Sequence, residues 1–315
     1  MKKSKTFLEI GVVVLATFII RILYSVLASL LLKDVVSSIA LNVIGEFLYI
    51  VPSLVFVFRH KSEAKDLLHL KKLHPLSILL LIVIGWLCIP IVAFVNSISM
   101  LFTTNVVLKN IDSFMSSSNY LVMLLTTALV PAVVEEFICR GTIFGQYRKA
   151  GLKQAALLSG LLFGLLHMNL NQFMYAFVLG IMLCVVVEIT GSLYSSMILH
   201  FVVNGTTGTL GFILLNNKSL LDRAGKMDAS KAQYLGAAAL YGAIGIVCLA
   251  CIAGLLYVVA ILEKRTIAYR AVNPFCKAVV VPKKEDRHVF TIPLILAIVI
   301  PCLLIVTFYI IELIR

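Results

Sequence analysis

Apolar and polar positions fall in long blocks along this chain, not at the spacing of amphipathic helices on a soluble domain. Nine apolar runs, at 7–32, 38–58, 76–102, 120–140, 154–167, 172–190, 194–215, 234–262 and 290–313, are separated by shorter polar connections. A helix needs about 20 apolar residues to cross the hydrocarbon core of a bilayer, and longer runs tilt or extend beyond it. The run at 154–167 is the shortest and the least suited to a full crossing. The pattern predicts an all-α polytopic membrane protein, a bundle of about eight or nine transmembrane helices.

Composition agrees. Of the 315 residues 61% are hydrophobic and only 13% charged, too little charged surface for a soluble chain of this length. Lys2, Lys3 and Lys5 precede a first apolar run that is too long for a signal-peptide core and lacks an evident small-residue cleavage site, so it reads as a retained span. The net charge of +12 fits basic cytoplasmic loops, not nucleic-acid binding. With the N-terminus inside, nineteen Lys and Arg fall on the cytoplasmic side and seven on the other. The expected setting is therefore a bacterial cytoplasmic membrane, with lipids as partners and no nucleic acid. The basic segment 263–289 would lie against anionic headgroups. Six of the seven cysteines lie in apolar runs and Cys276 in a polar one, a pattern of buried small hydrophobes and not of a disulfide framework. Cys248 and Cys251 form a C-x-x-C inside an apolar helix with no histidine or charge beside it, so no metal or redox role is read there.

Ionisable groups at membrane depth are costly, and by default they mark a functional site with partners nearby. Glu135, Glu136 and Arg140 end the fourth run. Glu136 and Arg140 are spaced i,i+4 with the glutamate N-terminal, the favourable order, while Glu135 is rotated about 100° away. The pair neutralises itself and leaves Glu135 free. Pro131 releases the Thr127 carbonyl from its helical bond and makes room beside the carboxylate. Phe163 and His167 share a face of the next run, and His200 and Asn204 share a face of the seventh. Glu135 and His167 lie at equal sequence distance from Gly151, so antiparallel helices bring them to one depth. His200 follows Gly191 too closely for that level unless the turn at Gly191 sinks into the bundle. Elsewhere, Arg21 and Glu46 fall at similar depth across the first turn and are expected to form an interhelical ion pair, with a substrate contact as the other reading.

A desolvated carboxylate is a good general base at neutral pH. Imidazoles orient water, stabilise an oxyanion or ligate a metal, and the Asn204 amide is a further oxyanion donor. No serine or cysteine is visibly paired with a base, so water is the expected nucleophile and amide hydrolysis the expected reaction. A zinc site of Glu135, His167 and His200 is chemically admissible, though the compact H-E-x-x-H signature is absent.

Glu135-Glu136-x-x-x-Arg140, Phe163-x-x-x-His167 and His200-x-x-x-Asn204 resemble, in order, the three motifs of the CAAX protease and bacteriocin-processing (Abi) family of intramembrane proteases. Gly180 and Thr190-Gly191-Ser192-Leu193 also resemble that family's bacterial pattern. The likeness covers 120–215 as a catalytic core, flanked by helices at 1–119 and 216–315. It implies that Glu135 activates water with help from His167, that His200 and Asn204 hold the oxyanion, and that Glu136 and Arg140 support them, with Phe163 beside the site. It leaves a glutamate-dependent and a zinc-dependent mechanism both open. It implies an endopeptidase acting on a membrane-associated peptide or protein. A catalytically silent bacteriocin-immunity or scaffold protein and a proton-coupled transporter are the alternatives. Intact motifs count against the first, and the want of an internal repeat counts against the second.

Overall fold

The computed structural model describes residues 2–103, 119–217, 230–272 and 289–314, and all their regular elements are helices. Helix α1 (Lys2–Leu27) continues through a π-helical turn, Ala28–Leu32. Helices α2 (Ser38–Tyr49) and α3 (Val51–Arg59) form the second span, followed by a short α4 (Ala64–Leu68) and by α5 (Pro75–Ser99). Helix α6 runs over Tyr120–Tyr147, then α7 over Leu152–Leu166, α8 over Leu170–Thr190 and α9 over Leu193–Leu215. Helices α10 (Lys231–Leu262), α11 (Thr266–Val272) and α12 (Ile292–Ile314) complete the described chain.

Eight helices among the described residues are long and apolar enough to cross a membrane. The chain is an all-α polytopic membrane protein. The shortest run becomes α7, at 15 residues too short to cross, and folds back against α8. Met168, left-handed at φ 54°, turns the chain there, and the Asn169 side chain accepts a hydrogen bond from the Gln172 N–H at 2.8 Å to start α8. Comparable caps start other helices. Asn119 accepts from the Leu121 N–H, and Ser230 forms a capping box with Gln233.

The helices enclose two apolar clusters. One gathers α1, α6 and α7 around Phe7, Phe144, Tyr147 and Phe163, and the other gathers α5, α8, α9 and α10 around Leu81, Leu183, Leu199 and Val259. The outer faces carry exposed Leu23, Leu30, Ile246 and Leu303, as suits a lipid-facing surface. Cys88, Cys139, Cys184 and Cys248 are buried free thiols, Cys251 is exposed and free, and Cys276 lies outside the described residues.

Segment 61–74 lies across the ends of α6 and α8. Leu67 and Leu68 press on Gly145 and Gly141, where any larger side chain would collide with them. The His69 carbonyl accepts from the Leu193 N–H at 3.0 Å, and the Lys71 carbonyl accepts from the Ser192 hydroxyl. Thr190 and Ser192 are fully buried beneath it, and Gly191 takes the left-handed φ of 68° that ends α8. The turn at Gly191 is thus sunk into the protein, the condition His200 requires to reach the glutamates.

Candidate active site

Helix α6 is irregular on both sides of the glutamates. Residues Leu125–Leu129 are π-helical just before Pro131, and Phe137–Phe144 are π-helical just after the glutamates. π-bulges of this kind concentrate at functional sites. They set carbonyls free for side chains from neighbouring helices. The Thr127 carbonyl, four residues before Pro131, accepts from Asn204 Nδ2 at 3.3 Å. The Cys139 carbonyl accepts from the Ser159 hydroxyl at 2.9 Å. A π-helix also advances less per residue, which shortens the climb from the Gly151 turn to the glutamates and brings them level with His200.

Glu136 and Arg140 are 0% exposed, and Arg140 Nη1 donates to Glu136 Oε1 at 2.8 Å. The second terminal nitrogen is also held, while Nε is buried without a hydrogen bond. Nη2 donates to the Gly180 carbonyl at 3.0 Å, and the Phe163 ring lies 4.3 Å from the guanidinium carbon. Gly180 must be glycine for this, because a methyl group there would meet Gly160 Cα at 2.8 Å and Arg140 Nη2 at 3.1 Å. Glu136 Oε1 is also 2.9 Å from His200 Nδ1. A carboxylate only accepts, so Nδ1 carries the proton and Nε2 is left as an acceptor. Asn204 Nδ2 fills that position at 3.0 Å. Both Asn204 hydrogens are thus committed, one to His200 and one to Thr127.

Glu135 points elsewhere. Its Oε2 is 3.9 Å from His200 Nε2, beyond hydrogen-bond reach, and its side chain keeps 12% of its surface where His200 keeps 2%. The charge of Glu135 acts on His167, on Glu46 from α2 and on Tyr175 from α8. His167 Nδ1 donates to the Phe163 carbonyl at 3.0 Å, which leaves Nε2 with a free lone pair. Phe163 meets both imidazoles edge-on, His167 at 5.2 Å and His200 at 5.6 Å between ring centroids. The seven residues singled out in the sequence therefore gather in one place, at the seam of the two apolar clusters.

One expectation is corrected, and the zinc option finds no support. Among the described residues no three His, Cys, Asp or Glu side chains converge as metal ligands. The set Glu135, His167 and His200 does not fit zinc in this arrangement, because the Nε2 lone pair that a metal needs on His200 already accepts from Asn204. Nor does an ion pair join Arg21 to Glu46. Arg21 stacks on the Tyr49 ring, 4.6 Å from its centroid, and Glu46 Oε2 is buried without a hydrogen bond. The depth argument placed both side chains correctly, but it said nothing of the tyrosine between them. Glu46 and Tyr175 were not read as neighbours of Glu135. The sequence signal was available for Glu46, an isolated charge in a span, and absent for Tyr175.

Residues 117–206 match the family model described as Rce1-like, type II CAAX prenyl endopeptidase Rce1-like. Over these residues the chain is similar to the CAAX protease family. The matched stretch contains every residue of the cluster just described. No curated protein and no solved structure matches the chain.

Proposed function

We propose that this protein is an intramembrane endopeptidase that hydrolyses a peptide bond of a membrane-associated peptide or protein with water activated by Glu135. The observation that carries the reading is the inequality of two adjacent carboxylates. Glu136 is held at Oε1 by both Arg140 and His200 in a fully buried setting, whereas Glu135 stands partly accessible near the histidines. At 3.9 Å Glu135 Oε2 makes no direct bond to His200 Nε2, which accepts from Asn204, and so remains available to water.

In this mechanism Glu135 takes a proton from water while the free Nε2 of His167 helps orient it. The water oxygen adds to the scissile carbonyl. The oxyanion draws an Asn204 hydrogen away from the Thr127 carbonyl, the longer of its two bonds, and His200 holds the amide in place. Glu135 then returns its proton to the departing amine as the C–N bond breaks. Pre-placed donors in a water-poor site do this at little reorganisation cost. The neighbouring spans at 1–119 and 216–315 shape access. The basic bias of one set of loops supports a cytoplasmic N-terminus.

The test is cleavage of a membrane-anchored peptide library by the purified protein in proteoliposomes. Wild type cuts, and Glu135→Ala and His167→Ala do not. Wild-type rates in both variants would refute the assignment, and proton-coupled uptake without cleavage would make the protein a transporter.

A further inference from the structure

Two adjacent serines near the start of helix α9 meet different neighbours. Ser195 and Ser196 are both fully buried. The Ser195 hydroxyl faces the Gly191 turn, where it donates to the Ser192 carbonyl and lies 2.7 Å from Thr190 Oγ1. Ser196 falls on another stripe of the helix. It precedes His200 by one turn and Asn204 by two, so the three side chains share a face at i, i+4 and i+8. Its hydroxyl donates to the Leu193 carbonyl at 3.0 Å and also stands within hydrogen-bonding range of the Glu136 carboxylate. Segment 61–74 keeps this face turned inward. The Leu193 N–H is held by the His69 carbonyl, and the Ser192 hydroxyl by the Lys71 carbonyl.

Glu136 has a use for a further donor. Its Oε1 takes both Arg140 and His200, at 2.8 and 2.9 Å, while Oε2 is buried without a hydrogen bond. A bare carboxylate oxygen in a fully buried setting is costly. A carboxylate loaded on one oxygen alone is also free to turn and exchange the two. Ser196 has one hydrogen and two acceptors in reach, and rotation about its C–O bond moves that hydrogen from one to the other. The Leu193 carbonyl keeps its helical partner in either state.

We infer that Ser196 is a positioning residue of this site: its hydroxyl turns to Glu136 Oε2, fixes the carboxylate with Oε1 towards His200, and so keeps the His200 proton on Nδ1. The consequence reaches the Asn204 amide. With the proton on Nδ1, His200 Nε2 accepts from Asn204 Nδ2 at 3.0 Å. With the proton on Nε2 the two groups would meet donor to donor, and the amide would have to turn over. Its Oδ1 would then face the Thr127 carbonyl, which now accepts from Nδ2 at 3.3 Å. Two acceptors repel, and the oxyanion would lose its donor. Ser196 thus acts through Glu136 and His200 without touching substrate. The step from Asn204 to cleavage rests on the proteolytic reading above, and the step from Ser196 to the His200 tautomer does not.

The experiment reads tautomer and rate separately. Nitrogen-15 spectra of histidine-labelled full-length protein distinguish Nδ1–H from Nε2–H imidazole, and the signal missing from His200→Gln assigns the residue. Wild type should hold the Nδ1–H form. Ser196→Ala should add the Nε2–H form and lower kcat about tenfold on a membrane-anchored peptide, with KM near that of wild type. Ser196→Thr keeps the hydroxyl and should restore both readings. Ser195→Ala, at an equally buried position, should lower the unfolding midpoint but leave tautomer and kcat as in wild type. Should Ser196→Ala not fold, Ser196→Cys offers a weak donor and is expected to give the same shift in smaller measure. An Nε2–H wild type, an unchanged tautomer in the Ser196 variants, or the same change in Ser195→Ala overturns the inference. A tautomer that shifts with Ser196 in a protein that cuts no peptide keeps Ser196 in its positioning role and sinks the proteolytic reading instead.

Discussion

Two clusters in this protein use the same three residue types and do different things with them. Glu136, Arg140 and His200 meet in the interior, where both members of the ion pair are 0% exposed. Glu188, Arg148 and His69 meet at the helix ends, with Arg148 Nη2 2.7 Å from Glu188 and 31% exposed. In the interior the histidine donates to the carboxylate. At the ends His69 Nδ1 donates to the Leu67 carbonyl and its Nε2 accepts from Arg148 at 3.0 Å. Arg265 adds a second cation near Glu188, at 3.6 Å, and caps its carbonyl at 3.1 Å. The outer cluster has spare partners and access to solvent. The inner one has neither: Arg140 and His200 both bind Glu136 Oε1, Glu136 Oε2 and Arg140 Nε are buried without a hydrogen bond, and Glu135 beside it keeps partial access. Redundancy marks the latch, and its absence marks the site.

Breaking the inner pair has the largest expected effect on stability. Arg140→Ala strands a buried carboxylate and costs about 3–5 kcal/mol, read as a lowered unfolding midpoint in detergent. Arg140→Lys recovers little of that, because an ammonium does not reproduce the fork that reaches both Glu136 and Gly180. The outer cluster tolerates more. Arg148→Ala costs about 1.5 kcal/mol by the same measurement, since Arg265 remains beside Glu188. An equal loss in the two variants would dissolve the distinction.

The smallest effect concerns pH. Burial, and then the Arg148 charge, hold His69 below the ordinary histidine range. Glu188 faces it with the opposite influence, and Arg265 adds to that of Arg148. The unfolded chain therefore binds the His69 proton more readily than the folded one. This contribution to stability is fully present above about pH 6.5 and is lost as pH falls towards the lowered folded value. The midpoint of wild type should drop across that window more steeply than that of His69→Gln, and identical slopes would remove His69 from the latch.

Much of this architecture was legible in the chain. Long apolar runs specify spans because hydrocarbon leaves the backbone no other partner. The Glu136–Arg140 pair followed from helical spacing alone, and the loosened Thr127 carbonyl from Pro131. Three things were not legible. The π-helical stretches have no sequence pattern of their own; the second, Phe137–Phe144, packs against Leu68 at Gly141 and meets Ser159 at the Cys139 carbonyl, both distant in sequence. The burial of the Gly191 turn depends on segment 61–74 lying across it. Arg21 meets Tyr49 in place of Glu46 because side-chain packing, not depth, decides which neighbour a guanidinium finds.

The central claim is that two adjacent glutamates have opposite duties, one chemical and one structural. The most direct measurement is a paired assay of Glu135→Gln and Glu136→Gln, with peptide cleavage and unfolding midpoint read on the same preparations. Glu135→Gln should lose cleavage by about 10²- to 10⁴-fold while its midpoint stays near that of wild type. Glu136→Gln should lower the midpoint, and its cleavage should fall with the amount of folded protein. If instead Glu135→Gln cuts at the wild-type rate, or Glu136→Gln is stable yet inactive, the assignment of the two carboxylates is reversed.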